Sequence, residues 1–213
     1  PNSCFGICDA STVISSSVPG SYVYKWQTSP VQFGSSASGL CPGFTVVEID
    51  DSNGCEYVDA VLVFGPYQIA ISIDSLDVTC NSACDGFASC TVFGGSPGYL
   101  YEWSNGFTFP QILNLCSGIY TVTVTDSQGC TNSKSVNIDQ PDSVLIQFNV
   151  IDASCALCSD GSVTAVVTGG VPGYSYSWTP GGSSDTSITN LLPGIYTLCV
   201  ADANSCFHCM NVE

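Results

Sequence analysis

The sequence predicts an all-β protein of three tandem, disulfide-reinforced β-sandwich repeats, and three observations predict it. Landmark residues recur at a period near 75. Trp26, Trp103 and Trp178 are spaced by 77 and 75 residues, Cys4, Cys80 and Cys155 by 76 and 75, and Cys55, Cys130 and Cys206 by 75 and 76. Apolar and polar side chains alternate over many short runs separated by Gly, Pro, Ser and Asn, and no stretch places apolar residues at helical spacing over three turns. There are 14 cysteines in 213 residues, a density that reads as a disulfide framework closed in an oxidising compartment. A fixed period of this kind is the mark of a repeat array. The expected domains are residues 1–66, 67–141 and 142–213.

Each repeat presents the same elements in the same order. It opens on two cysteines close in sequence: Cys4 and Cys8, Cys80 and Cys84, Cys155 and Cys158. A strand-like run follows and is closed by Pro19-Gly20, Pro97-Gly98 or Pro172-Gly173. Next comes an aromatic strand in which every second residue is Tyr or Trp: Tyr22, Tyr24, Trp26; Tyr99, Tyr101, Trp103; Tyr174, Tyr176, Trp178. Period two with β-forming residues is a half-buried strand, and equal parity puts each aromatic set on one face. After a Ser/Gly-rich stretch, Gly43, Gly118 or Gly194 opens another alternating strand, clearest in Tyr120, Val122, Val124 and in Tyr196, Leu198, Val200, with Thr121, Thr123 and Thr125 on the opposite face. Tight turns end it at Asp51-Ser-Asn-Gly-Cys55, Asp126-Ser-Gln-Gly-Cys130 and Asp202-Ala-Asn-Ser-Cys206. There Asn and Gly accept the positive φ of a hairpin, and the leading Asp is expected to cap the turn. Two further alternating strands, Ile69-Ile71-Ile73 and Val144-Ile146-Phe148-Val150, precede repeats two and three. Only Pro1, Asn2 and Ser3 precede Cys4, so repeat one is expected to lack its first strand.

Composition excludes several function classes. Two Lys+Arg stand against 18 Asp+Glu, a formal charge of -16, which rules against nucleic acid or an anionic membrane surface as partner. The acidity reads as a solubility device ahead of Ca²⁺ recruitment, and no cofactor is expected. No apolar run of about 18 residues is present to cross a bilayer as a helix, and no basic and apolar leader opens the sequence. Beginning at Pro1 without an initiator Met, the chain is expected to be a mature product or a piece of a longer one, secreted to the extracellular cell surface.

The order Gly-Gly-x-Pro-x-Tyr-x-Tyr-x-Trp, followed by Leu-x-x-Gly-x-Tyr-x-Val-x-Val-x-Asp-x-x-Gly-Cys, resembles the SprB-type repeat of Bacteroidetes gliding-motility adhesins and related long cell-surface proteins. In repeat three it reads Gly169-Gly170-Val171-Pro172-Gly173-Tyr174-Ser175-Tyr176-Ser177-Trp178, then Leu191-Leu192-Pro193-Gly194-Ile195-Tyr196. Repeat one is degenerate, with Val18 where a Gly stands and Phe44-Thr45 in place of Ile-Tyr. The resemblance implies an immunoglobulin-like fold, export, and a part in adhesion or filament building. It carries over no catalytic residue. The extra cysteines depart from the pattern and imply a stiffer variant.

The cysteines are the candidate structural sites. Recurrence suggests bridges inside each repeat, Cys4 to Cys55, Cys80 to Cys130 and Cys155 to Cys206, each closing a loop of about 50 residues and stabilising by roughly 3–4 kcal/mol. Cys8 with Cys41 and Cys84 with Cys116 form a second tie, absent from repeat three, where Leu192 stands. Cys199 and Cys209 are symmetric about the hairpin centre and so face each other across antiparallel strands. Cys90 and Cys158 are left unassigned. A zinc cluster of Cys155, Cys158, Cys206, His208 and Cys209 is the metal alternative and is not favoured.

Catalysis is not expected. The one histidine, His208, has no recurring partner, and Asp50 and Asp51 point to opposite faces of a strand. The Tyr/Trp strand could stack on a glycan, but its presence in every repeat suits a core, which each repeat needs. The expected function is a structural segment of an extracellular filament or adhesin, with a carbohydrate- or surface-binding module and an accessory domain of a secreted enzyme as alternatives. The expected partner is another copy joined head to tail, or continuation in a longer repeat chain. The open edge of repeat one would meet, or accept a strand from, the region ending in Asn211-Val212-Glu213.

Overall fold

The computed structural model describes residues 2–213, and Pro1, part of the short lead-in expected before Cys4, lies outside the described residues. Every regular element among the described residues is a strand. In repeat one these are β1 (Ala10–Val13), β2 (Tyr22–Trp26), β3 (Gln32–Phe33), β4 (Ser36–Leu40), β5 (Gly43–Asp51) and β6 (Glu56–Val63). Repeat two supplies β7 (Ala70–Leu76), β8 (Gly86–Phe93), β9 (Leu100–Trp103), β10 (Gln111–Leu115), β11 (Gly118–Thr125) and β12 (Thr131–Ile138). Repeat three supplies β13 (Leu145–Ile151), β14 (Gly161–Thr168), β15 (Ser175–Thr179), β16 (Ser187–Leu191), β17 (Tyr196–Ala201) and β18 (Phe207–Val212).

Strand order identifies the fold. In repeat three the first, second and fourth strands form the sheet β13-β14-β16, and the third, fifth and sixth form β15-β17-β18. The same ordering recurs in repeat two as β10-β8-β7 and β12-β11-β9. This is the strand partition of an immunoglobulin-like sandwich, with a buried tryptophan on the third strand. Repeat one has β3-β2-β5-β6 but only a two-stranded partner, β1-β4, because no strand precedes β1 among its described residues. β18 pairs in full register with β17, Val212 lying opposite Tyr196 and Asn211 opposite Thr197. The segment expected to reach toward repeat one is therefore engaged in its own sheet.

Two compact units form. One joins the stretch up to Ile73 with Cys90–Pro110 and Thr121–Ser135; the other joins Asp74–Ser89, Gln111–Tyr120 and Val136–Glu213. Within the first, Ala10, Ala37 and Leu40 of one sheet close on Trp26, Val47 and Val63 of the other. Within the second, Val144, Ile146, Val163 and Ala165 close on Trp178, Leu198 and Val200, and the Phe148 ring lies 5.8 Å from that of Trp178. The alternation read from the sequence is what allows this, since every second residue of β14 and β17 turns inward. Trp26, Trp103 and Trp178 are at most 1% exposed, and each indole N–H donates to a backbone carbonyl, Gly34, Phe109 or Asp185, at 2.9–3.0 Å. A ring held this way is core and is closed to a stacked sugar.

The Gly-Gly step of repeats two and three has a steric cause. Gly169 and Gly170 have φ of +74° and +62°, and a Cβ on Gly169 would run into the Ser143 carbonyl oxygen. A Cβ on Gly170 would come within 2.7 Å of Val144 Cγ2 and 2.8 Å of Asp202 Oδ2. Only glycine lets the backbone pass this close at a left-handed φ. Gly94 and Gly95 occupy the same situation against Gln68, Ile69 and Asp126.

Candidate functional site

The recurring cysteines and the aspartates beside them collect on two kinds of loop that recur in every repeat. The first lies between the opening cysteine and the second strand of the sandwich. Its backbone is fixed by an aspartate: Ser3 N–H donates to Asp9 Oδ1 at 2.9 Å, Thr79 N–H to Asp85 Oδ1 at 3.0 Å, and Ser154 N–H to Asp160 Oδ1 at 2.9 Å. Side-chain hydroxyl donation from the same Ser or Thr, then that backbone bond, holds the carboxyls of Asp9, Asp85 and Asp160 below their ordinary pKa. Each loop also closes a turn, with Ile7, Ala83 and Cys158 N–H donating to the carbonyls of Cys4, Cys80 and Cys155 at 3.0–3.2 Å.

The second loop is the hairpin turn that carries the other recurring cysteine. Asp51 Oδ1 accepts from Asn53 and Cys55 N–H, Asp126 Oδ1 from Gln128 and Cys130, and Asp202 Oδ1 from Asn204 and Cys206, all at 2.8–2.9 Å. In repeats two and three the second oxygen is used as well, by Ser96 N–H and Val171 N–H at 2.9 Å. Burial raises the Asp126 pKa, and the bonds from Ser96, Cys130, Gln128 and Gly129 outweigh it, leaving the group lowered. Asp202 is lowered by the Val171 bond first and Asp51 by the Cys55 bond first. The aspartates cap their turns.

Disulfides join one kind of loop to the other, and they correct the expected pairing. Cys4–Cys55, Cys80–Cys130 and Cys155–Cys206 do not form. The bridges run one repeat onward, Cys4 to Cys130 and Cys80 to Cys206, each with a Cα–Cα distance of 5.6 Å and a sequence separation of 126. Repeat three shows the reason. The Cys155 loop precedes Gly161 at the start of β14, whereas the Cys206 hairpin is hydrogen-bonded to Val171 just past the end of β14. Eight residues of strand separate them, about 26 Å, far beyond the roughly 4.4–6.8 Å between bridged Cα atoms. The two loops belong to opposite ends of a sandwich, so a bridge between them needs two successive repeats.

The remaining sulfurs fall as follows. Cys8 joins Cys41, Cys84 joins Cys116, and Cys199 joins Cys209 directly across β17 and β18. Cys155, expected to join Cys206, instead pairs with Cys158 three residues away, which assigns one of the two cysteines without an expected partner. Cys55, expected in a bridge, is free and exposed, and Cys90 is free and buried. Burial pushes the Cys90 thiol up in pKa, with Lys134 pulling the other way. Because Cys155, Cys158, Cys206 and Cys209 are all in disulfides, they present no thiolates for a zinc ion. Among the described residues no group of three His, Cys, Asp or Glu side chains is placed to hold a metal. His208 lies exposed on β18.

Around the two onward bridges the surroundings also correspond. Cys130 Sγ lies 3.4 Å from the Ser3 carbonyl oxygen and Cys206 Sγ 3.4 Å from that of Thr79, while Asn204 Nδ2 donates to the Thr79 carbonyl at 2.8 Å. Shallow clefts border both, one lined by Cys4, Phe5, Tyr67 and Cys130, the other by Cys80, Asn81, Cys206 and Phe207. Cysteine density and period were visible in the sequence. The direction of bridging was not, because residue spacing alone does not say which end of a sandwich a loop occupies.

No helix is long and apolar enough to cross a membrane among the described residues. No curated protein is significantly similar to the chain in sequence. Among solved structures it is similar to the N-terminal eight Ig domains of Down Syndrome Cell Adhesion Molecule (DSCAM) isoform 1.30.30, at 12% identity and a TM-score of 0.38, over 97% of this chain and 34% of that one. It thus spans about a third of that protein's length. It is similar to the N-terminal four Ig domains of Dscam1 isoform 9.44 at 13% identity and a TM-score of 0.33, over 98% and 70% of the two chains. It is similar as well to Dpr2 Ig1-Ig2 in complex with DIP-Theta Ig1-Ig3 at 12% and 0.29, over 90% and 88%. These scores add nothing to what strand order establishes. The family model described as SprB repeat matches twice, and with the disulfide framework it marks an extracellular, adhesin-type repeat module. Residues 72–108 and 148–183 thus carry the SprB repeat that the aromatic-strand motif of repeats two and three resembles.

Proposed function

We propose that the chain is a non-enzymatic structural segment of an extracellular filament or cell-surface adhesin, built from three repeats at 1–66, 67–141 and 142–213 and joined end to end to further copies. The observation that carries this reading is the onward bridge. Cys4–Cys130 and Cys80–Cys206 each tie the opening loop of one repeat to the hairpin of the next. Such ties serve to hold successive repeats in register under load, and each removes about 4–5 kcal/mol of chain entropy from the unfolded state in the loop-closure account. A framework of this kind suits a protein that must persist outside the cell without repair. The capping aspartates support a scaffold that needs no ion, since their oxygens are already taken by backbone N–H groups. The test is electron microscopy of the oxidatively refolded 213-residue chain. Filaments with a regular axial repeat are expected; a monodisperse monomer at high concentration overturns end-to-end assembly.

A further inference from the structure

The two onward bridges leave one cysteine of each kind without the partner its position has elsewhere. Cys4 and Cys80 reach the next hairpin, and Cys155 is the third cysteine of that series, held instead in a local loop with Cys158. Cys130 and Cys206 receive such a bridge, and Cys55, the remaining member of their series, is a free, exposed thiol. The supporting geometry is already in place at both unmatched positions. Asp51 fixes the Cys55 turn with the two bonds that Asp126 and Asp202 make in the bridged turns. Asp160 and the Cys158-to-Cys155 turn fix the Cys155 loop as Asp85 and the Ala83-to-Cys80 turn fix its bridged counterpart. Asn53 stands where Asn204 donates to the Thr79 carbonyl across a bridged junction, and Ser154 stands where Thr79 does.

We propose that Cys55 of one copy and the Cys155–Cys158 disulfide of another form a covalent coupling by thiol–disulfide exchange. The Cys55 thiolate attacks Cys155 Sγ, a new Cys55–Cys155 disulfide forms between copies, and the Cys155–Cys158 bond breaks with its electron pair leaving on Cys158, which takes up the proton that Cys55 gave up. One thiol and one disulfide enter and one thiol and one disulfide leave, so no oxidant is consumed. Cys155 is exposed and Cys158 half-buried, which directs attack to the first sulfur and leaves the second as the departing one. The Cys155–Cys158 loop thus hands its disulfide on to the Cys55 thiol, and the number of disulfides stays the same. This inference rests on the end-to-end reading and specifies its chemistry.

The experiment uses the full chain, oxidised, with Cys55 reduced and the Cys155–Cys158 loop closed, incubated at mildly alkaline pH in the absence of oxidant. Non-reducing electrophoresis is expected to show a ladder of multimers. Peptide mapping is expected to find Cys55 joined to Cys155, with one Cys158 thiol released per link. Cys55→Ser is expected to abolish the ladder completely while filaments remain visible by microscopy. Filaments from the unaltered chain without any ladder, or a ladder made of Cys55–Cys55 links, overturn the exchange and leave the proposed function standing. Neither filaments nor ladder overturns both.

Discussion

Asp126 and Asp202 each hold two backbone segments with one carboxylate, the hairpin through Oδ1 and the Gly-Gly loop through Oδ2. Replacing Asp126 with alanine leaves the N–H groups of Ser96, Gln128 and Cys130 without their acceptor. A loss of about 1–3 kcal/mol is expected, measured by denaturant unfolding. The folded-state carboxyls of Asp51, Asp126 and Asp202 lie below the ordinary value of 3.8, so the unfolded chain takes up protons first on acidification. Stability present above about pH 4 is therefore lost as pH falls below 3.8 and through the lowered values. The denaturant midpoint at pH 3 is expected to lie below that at pH 6, and the difference is expected to shrink when Asp126 and Asp202 are replaced. With both oxygens of each occupied, a chelator is expected to leave the melting temperature unchanged, and a fall of several degrees would show an integral cation. The turn-capping role was legible from Asp followed two residues on by Asn or Gln and then by Gly or, at Ser205, Ser. The Oδ2 bonds were not, because they join residues about 30 positions apart that only the fold brings together.

The aromatic third strand was legible as an element because period two and its Trp survive in every repeat, and β2, β9 and β15 sit there. The Gly-Gly loop that feeds it was legible only as a motif, since its cause is the approach of the Ser143 and Gln68 carbonyls from another strand connection. Gly169→Ala is expected to cost about 2–5 kcal/mol from the left-handed φ and the collision together. Gly54→Ala, at φ +80° with nothing near its Cβ, is expected to cost about 1–2 kcal/mol; equal losses from the two, in calorimetry, would refute the steric account. Tyr120 and Tyr196 donate from their hydroxyls to Cys116 and Leu192 carbonyls at 3.0 Å, pinning the entry to β11 and β17 as a tyrosine corner does. Thr45 stands in their place in repeat one, a departure the sequence displays without showing what it removes. The cysteine pairings divide the same way. Cys199 and Cys209 could be matched by symmetry about a hairpin, whereas Cys4 and Cys130 are separated by 126 residues, and only the length of a strand between two loops excludes the nearer partner.

A formal charge of -16 with only Lys25 and Lys134 to offset it means that copies repel one another. Both lysines are engaged, Lys25 with Glu48 at 2.7 Å and Lys134 with the Ile71 carbonyl at 3.1 Å. Assembly of the chain is therefore expected to quicken with added salt, measured by light scattering, because screening shortens the reach of that repulsion to about 10 Å at 0.1 M. The onward bridges also alter how the molecule answers to tension. Between Cys4 and Cys206 the backbone runs about 200 residues, roughly 700 Å when drawn out. A shorter covalent route crosses from Cys4 to Cys130, follows the backbone to Cys116, crosses to Cys84, follows it to Cys80 and crosses to Cys206. That route runs through about 18 backbone steps and three disulfides, about 80 Å in all. Pulled through these two points, the oxidised molecule is expected to stop lengthening near 80 Å and the reduced one near 700 Å in single-molecule extension. Force on the array thus bypasses most of the polypeptide, and the sandwiches can open and reclose in the slack without the tether growing longer.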